Sequence, residues 1–499
     1  MRSVIDAQMM FGSSDISSIT FNPKSRDDIP QLLRGLQFIY LNLELRQRIF
    51  SILKEVIPPS TKGEGKASAL TGRPGMSQWV ILVLGTLRLG LNEDYDRILE
   101  LANEHGTLRQ MLGHGDSWAD KTHYHLQTLK DNLALFTPEI LDKINQEVVA
   151  SGHQLFKKKE DEPGINTRCD SFVVETNVHF PTDTNLLWDA MRIVIEQSAQ
   201  LSLEHELTYW RQHQYQLRQL KKQYRLIQKL KHSTSKDEGR RTAKVQEIRD
   251  AHSTYLQMAS GHLLQVEITR DAIKARGGAE SAFARLDTFV AHAVRQIDQI
   301  RRRVLEGETI PHAEKVFSLF QPHTEWISKG KAGVPVELGL RVCIVEDQYR
   351  FILHHQVMEK TTDDAIAVSI MTETVQRFSR IQSISMDKGF HSPDNQTQLK
   401  ALIPQVVLPK KGKLSVLDRE RQTDPEFIRL RRQHSAVESA INALEQHGLD
   451  ICPDHGIAGF KRYVAMAVVA RNIQRLGAVL RQQEVEREQR RRGPYRKAA

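Results

Sequence analysis

Cysteine is scarce. Cys169, Cys343 and Cys452 stand alone among 499 residues, with no C-x-x-C pair. That excludes a disulfide framework and a thiolate zinc knuckle, and it fits a reducing compartment. Long apolar runs are missing too: the most apolar stretch, Val80 to Leu91, is too short to span a bilayer and carries Arg88. The opening residues, Met1 to Asp15, lack the charged-then-apolar layout of a signal peptide, so a cytoplasmic protein without a membrane partner is expected. Acidic residues are in deficit, 61 against 70 Lys and Arg, leaving a net charge of +9. A polyanion suits that balance better than an acidic small molecule does. With 40% hydrophobic and 26% charged residues the chain has ordinary soluble composition. Its length allows about two to four domains.

The first 150 residues read as helices. Leu32, Leu33, Leu36, Phe38, Ile39, Leu43, Leu45, Ile49 and Leu53 predict one helical segment over Asp28–Val56, and Pro58 to Gly65 has the composition of a linker. Helices follow over Trp79–Leu91, Glu93–His105, Thr107–Leu112 and Ala119–Phe136. Short helices joined by tight turns suit a helix-turn-helix-like DNA-binding unit, in which Lys121, His123, His125 and Lys130 would face DNA. A plain helical bundle fits the pattern equally well.

Ile165 to Thr176 is a strand by its β-branched and aromatic content, with Asp170 on the face of Phe172 and Val174. A carboxylate on an apolar face is costly unless paired or metal-bound; the alternative is an edge strand that turns Asp170 to water. Asp183 or Thr184 caps a helix from Leu186 to about Ser198, which makes Asp183 structural. Residues 200 to 307 then change character to long polar helices, a helical insertion with a turn at Lys236 to Gly239. Within it, Arg211 to His232 carries seven basic residues and no acidic one, interleaved with Tyr215 and Tyr224. Arg211, Arg218, Lys221, Lys222 and Arg225 of that run are candidates for contacts along phosphates. Leu217, Leu220, Ile227 and Leu230 are apolar on so basic a helix, and meet either the insertion's other arm or a second protomer.

Strands resume in a hairpin, Val336–Val345 and Tyr349–Met358, followed by a helix over Asp363–Ser379. Ile381 to Met386 is a short strand that stops on Asp387, where Lys388-Gly389 breaks it. Ser392-Pro393 already supplies the cap and first position of the next helix, so Asp387 is free for chemistry at the carboxyl end of a strand. A strand over Gln405–Pro409 leads to a long helix from Asp424-Pro425 to about Gln446, on which Glu438 sits at the edge of an apolar stripe behind Arg431, Arg432 and His434. A last amphipathic helix spans Phe460–Arg481, and the basic tail from 483 to 499 reads as disordered.

Three carboxylates, Asp170, Asp387 and Glu438, thus fall on neighbouring elements of an α/β unit. Such a trio can hold two Mg²⁺ ions roughly 3.5–4 Å apart, with Mn²⁺ as a substitute, and clamp a phosphoryl group in transfer. The hard oxygen set argues against zinc.

The chain resembles the DDE transposases of bacterial insertion sequences, most closely the group labelled ISNCY. The matching pieces are Asp170 to Asp183, His312 to Ser318, Lys329-Gly330-Lys331, Asp387 to Ser392 and Val437-Glu438, with Arg73-Pro74-Gly75 similar to that group's N-terminal region. The resemblance implies a ribonuclease-H-like mixed sheet flanked by helices, split between residues 160–200 and 308–482 by the insertion at 201–307. It implies Asp170, Asp387 and Glu438 as the metal-binding catalytic triad. It further implies double-stranded DNA as partner (terminal repeats and target), a homodimer or higher assembly on DNA, and a nucleoid-associated bacterial location. Lys329, Lys331, Arg431, Arg432 and His434 join the candidate DNA contacts. One departure is visible: the Tyr and Arg seven and four residues before the Glu, and the Lys seven after it, are replaced by Arg431, His434 and Glu445. Other readings are a structure-selective nuclease on the same fold and a catalytically inactive, domesticated DNA-binding protein.

Overall fold

A computed structural model describes residues 14–55, 76–115, 122–156, 164–328 and 335–492. The chain is a mixed α/β protein with one seven-stranded sheet and many helices. It divides into two compact units, residues 1–177 with 327–499, and residues 178–326.

The first unit holds the sheet. Its strands are β1 (Ile165–Thr176), β2 (Glu325–Ser328), β3 (Val336–Asp347), β4 (Ile352–Met358), β5 (Ile381–Met386), β6 (Gln405–Val407) and β7 (Ile451–Cys452). The order is β2-β3-β1-β5-β6, with β4 on β3 and β7 on β1. β1 runs antiparallel to β3 and parallel to β5, so the sheet is mixed. β1 keeps the bounds its composition predicts. Its Phe172 and Val174 are buried, while the two-residue β7 is too short to leave a sequence signal.

The N-terminal helices do not form a separate body. The segment expected as one helix breaks at Asn42, whose side chain accepts the Leu45 amide, giving Asp28–Leu41 and Leu43–Lys54. Every residue of the helix Gln78–Gly90 is buried. A helix apolar on all sides belongs inside a protein, and this one packs with Asp28–Leu41 and Pro138–Phe156 around the C-terminal helix Gly456–Arg492. The crossing is close: a Cβ on Gly35 would stand 2.2 Å from the Ile473 carbonyl oxygen, and one on Gly477 would stand 1.9 Å from that of Gln31. These helices share one hydrophobic core with the sheet. Helix Leu126–Leu133 replaces the longer one expected, and Lys121 and Arg73 to Gly75 lie outside the described residues. The C-terminal helix also continues to Arg492, through residues expected to be a disordered tail.

A buried amide group ties these layers together. Asn472 Nδ2 donates to the Ile352 carbonyl at 2.9 Å and to Asn145 Oδ1 at 2.6 Å, and its Oδ1 accepts the Ile352 amide at 3.0 Å. Replacing Asn472 by Leu strands the Ile352 N–H without water, so a loss of about 2–3 kcal/mol in urea unfolding is expected; a change below about 0.5 kcal/mol would contradict this.

The second unit is helical: Asp183–Glu204, His213–Lys229, Glu238–Ala275 and Ala284–Ile300 surround a core of Leu186, Met191, Val194, Tyr255, Ala259 and Phe283. It is wider than the insertion expected over 201–307, because the apolar side of Asp183–Glu204 packs against Ala284–Ile300. Thr182, rather than Asp183 or Thr184, caps that helix, and Asp183 pairs with Arg303 at 2.6 Å. Leu217, Leu220 and Ile227 are buried in this unit's own core and Leu230 packs beside them, which resolves them as internal contacts. Among the described residues, no helix is long and apolar enough to cross a membrane.

Candidate functional site

The site begins with the pairing of β1 and β5. Their parallel register sets Asn166 beside Ser383, Arg168 beside Ser385, and Cys169 beside Met386. The ladder ends at that pair: Asp170 continues β1, Asp387 is the first residue beyond β5, and the negative charge of Asp387 is felt at Asp170. With period two, one face carries the rungs Asn166/Ser383 and Arg168/Ser385, with Asp170 and Asp387 following just beyond them. The lowest rung is joined by the Ser383 hydroxyl donating to Asn166 Oδ1 at 2.7 Å.

Asp387 ends its strand at the start of a single 3-10 turn, Lys388–Phe390, anchored by the buried Phe390. Its carboxylate makes no capping bond, while Ser392 caps the helix Pro393–Leu402 through the Asn395 amide at 3.0 Å. The chain thus leaves Asp387 exposed and uncommitted, as its sequence context predicts.

Asp170 is half-buried, and its Oδ1 accepts the Ser171 amide at 2.8 Å. Burial, reinforced by the negative charges of Asp387, Asp363 and Glu438, pushes its pKa up to about 6. Glu438 is exposed on the helix Ala436–Leu444, whose Val437, Ala440 and Leu444 are buried. The expected long helix is in fact two, Pro425–His434 and Ala436–Leu444, joined at Ser435. The three predicted carboxylates are therefore electrostatic neighbours.

Asp363 is a fourth, which sequence reasoning missed. It opens the helix Asp363–Arg377, where an acidic residue is ordinary dipole complementation. Yet its Oδ1 accepts the Ser171 hydroxyl at 2.6 Å, and its Oδ2 would stand 3.1 Å from a Cβ on Gly389. Gly389 is what lets Asp363 sit against the Asp387 turn. The signal is the position: Asp363 is the first residue of a helix a few residues after β4, with another residue, Thr362, in the cap position.

No ion pair reaches Asp170, Asp363, Asp387 or Glu438 from any described residue. Neighbouring carboxylates without counter-ions call for a cation, and an all-oxygen set matches Mg²⁺ or Mn²⁺ chemistry. Among the described residues no three acidic, His or Cys side chains are grouped closely enough to hold a metal as they stand. The donors fit the ion in kind and charge, without forming a closed cage.

The candidate DNA contacts fall in several places. Arg431 and Arg432 are exposed on the helix leading to Glu438. His434 is half-buried, lies 3.1 Å from Ser385 Oγ, and has its pKa held down chiefly by burial, so it is a neutral sheet-side group rather than a solvent-facing cation. Lys130 is exposed with its Nζ 5.6 Å from the Tyr95 ring centre. Lys329 and Lys331 lie outside the described residues. In the helical unit, Arg211, Arg218, Lys221, Lys222 and Arg225 are all exposed, and none pairs with an acidic side chain among the described residues. Comparison with profiles of known families, with curated proteins and with solved structures finds no match for the chain, so its functional reading stands on this geometry.

Proposed function

We propose that the protein is a DDE-type DNA transposase: it binds the ends of its own insertion sequence, cuts a strand there and joins the freed end to target DNA. The observation that carries this reading is Asp170, raised in pKa in part by the negative charges of Asp387 and Glu438, with no counter-ion on these carboxylates among the described residues. A ribonuclease-H-like core is the finer form of the mixed sheet that this proposal adopts. Asp170, Asp387 and Glu438 are the residues that would hold Mg²⁺ or Mn²⁺. When bound, such ions supply charge neutralisation at the attacking and leaving oxygens of a phosphodiester. The protein's own part is to orient that phosphodiester over Asp170 and Asp387, with Arg431 and Arg432 available to its flanking phosphates. Joining two ends requires both to be held at once, and one site per end calls for at least two protomers on DNA.

The exposed basic helix of the second unit supports a polyanionic partner. Among the described residues its cations make no ion pair, Lys221 lying over the Trp188 ring at 5.5 Å, while Leu217, Leu220 and Ile227 face the core. Replacing Lys221, Lys222 and Arg225 together by Gln is expected to weaken binding to all DNA sequences alike. The plot of log affinity against log salt should flatten by about 2.7 for three lost phosphate contacts. Fluorescence anisotropy over a salt series checks this, and an unchanged slope would return the helix to an ordinary solvated face.

A further inference from the structure

We infer that Arg168 is a positioning residue that fixes the junction at Ser435, and with it the place of Glu438 relative to Asp170 and Asp387. Its catalytic consequence rests on the transposase reading above; its structural content rests on hydrogen-bond geometry alone.

Arg168 lies two residues before Asp170 on the same face of β1. Its guanidinium reaches three groups. Nη1 donates to the Gln433 carbonyl at 3.1 Å, Nη2 donates to the Asp347 carbonyl at 2.8 Å, and Nε stands 3.4 Å from the buried Glu346 carboxylate. Gln433 is in the last turn of Pro425–His434, where carbonyls lack helical partners and the dipole favours a cation. The same carbonyl accepts the Ser435 amide, so the helix end is closed at that point. Ser385, the register partner of Arg168, meets the next residue, His434, at 3.1 Å. One rung of the sheet therefore holds two consecutive residues of the junction, two positions before Asp170 on β1 and two before Asp387 in the chain.

Packing contributes little at that point. Beside the junction is a solvent-open pocket of about 280 Å³, lined by Asn166, Arg168, Ser383, Ser385, Leu430 and Gln433 among others. The apolar anchors lie to either side: Phe427 and Leu430 against Val407 before the junction, and Val437, Ala440 and Leu444 after it. Close packing normally sets the position of a helix to within a fraction of an ångström. Where it is interrupted, the planar fork of an arginine can set it through two fixed bonds, which the single ammonium of lysine cannot reproduce.

The test pairs a distance with a rate. Spin labels on cysteines introduced at the exposed Ser439 and Lys400 report the Glu438 helix against the helix Pro393–Leu402 that follows Asp387, the three native thiols being buried. With Arg168 present the distance distribution is expected to be narrow. In Arg168→Gln it should broaden, and metal-dependent turnover on end DNA should fall at least about tenfold with DNA affinity unchanged. In Arg168→Ala, added methylguanidinium should narrow the distribution again. If Arg168→Gln does not fold, Arg168→Lys is read by the same criteria. An unchanged distribution overturns the inference, as does a broadened one with unaltered turnover. Absence of cleavage by the unsubstituted protein would sink the transposase reading while leaving the distance result to decide the role of Arg168.

Discussion

Replacing Asp387 by Ala is expected to abolish strand cleavage, by at least about a thousandfold, while end binding stays within about twofold. The asymmetry follows from where the side chain sits. Asp387 is exposed at the end of β5, makes no capping bond and has no ion pair among the described residues, so its loss disturbs no packing. What it removes is one member of the charge cluster that would hold the ions. Asp170→Ala and Glu438→Ala should match it, since a two-ion site fails when any member is missing. The losses should not add in a double variant, because the residues act as a unit. Gel assays of cleavage and binding on the same DNA check both halves; near wild-type cleavage by Asp387→Ala would remove the carboxylates from the chemistry.

Asp170→Asn should go further and separate stability from activity. The Asp170 pKa is lifted from its ordinary 3.8 to about 6, first by burial and then by the like charges of Asp387, Asp363 and Glu438. The folded state therefore holds this proton more tightly than the unfolded chain does. Its stability contribution is present at low pH and is lost as pH rises through roughly 4 to 6. By pH 7.5 the ionised carboxylate costs about 3 kcal/mol in the metal-free protein. An amide of the same shape carries no charge, so Asp170→Asn should be more stable than the parent by up to that amount at pH 7.5 in chelator. The gain should vanish below about pH 4, where the parent is protonated. Adding Mn²⁺ should raise the parent's unfolding temperature and leave that of Asp170→Asn nearly unmoved. Urea unfolding at the two pH values is the check, and a destabilised Asp170→Asn at pH 7.5 would show that Asp170 is an ordinary satisfied residue.

The parts of the fold legible in the sequence are those fixed by neighbours along the chain. β1 and β5 are read from local β-branched content, and Ser392 and Asp424 act as the caps their sequences announce. Asp387 could be singled out because a nearby serine already filled the structural role. The breaks at Asn42 and Ser435 were not legible. Asn42 competes with the helix through its own side chain, and the Ser435 junction is met by Arg168, 267 positions earlier in the chain. Period alone cannot see such partners. The all-apolar Gln78–Gly90 does carry a usable signal, since a helix apolar on every side belongs in a core. Asp363 was hidden for another reason: at a helix start, electrostatic convention explains an acidic residue before chemistry is considered.

We propose that these carboxylates hold the ions with which the protein would cut and join the DNA bordering its own gene. The most direct measurement incubates the full chain with labelled border DNA and a supercoiled target in Mg²⁺, then maps the products at nucleotide resolution. The expected result is a 3′-hydroxyl at the element boundary and its covalent joining to target DNA, both lost in EDTA and with Asp387→Ala. Cleavage that ignores the boundary, or products that persist with Asp387→Ala, would contradict it.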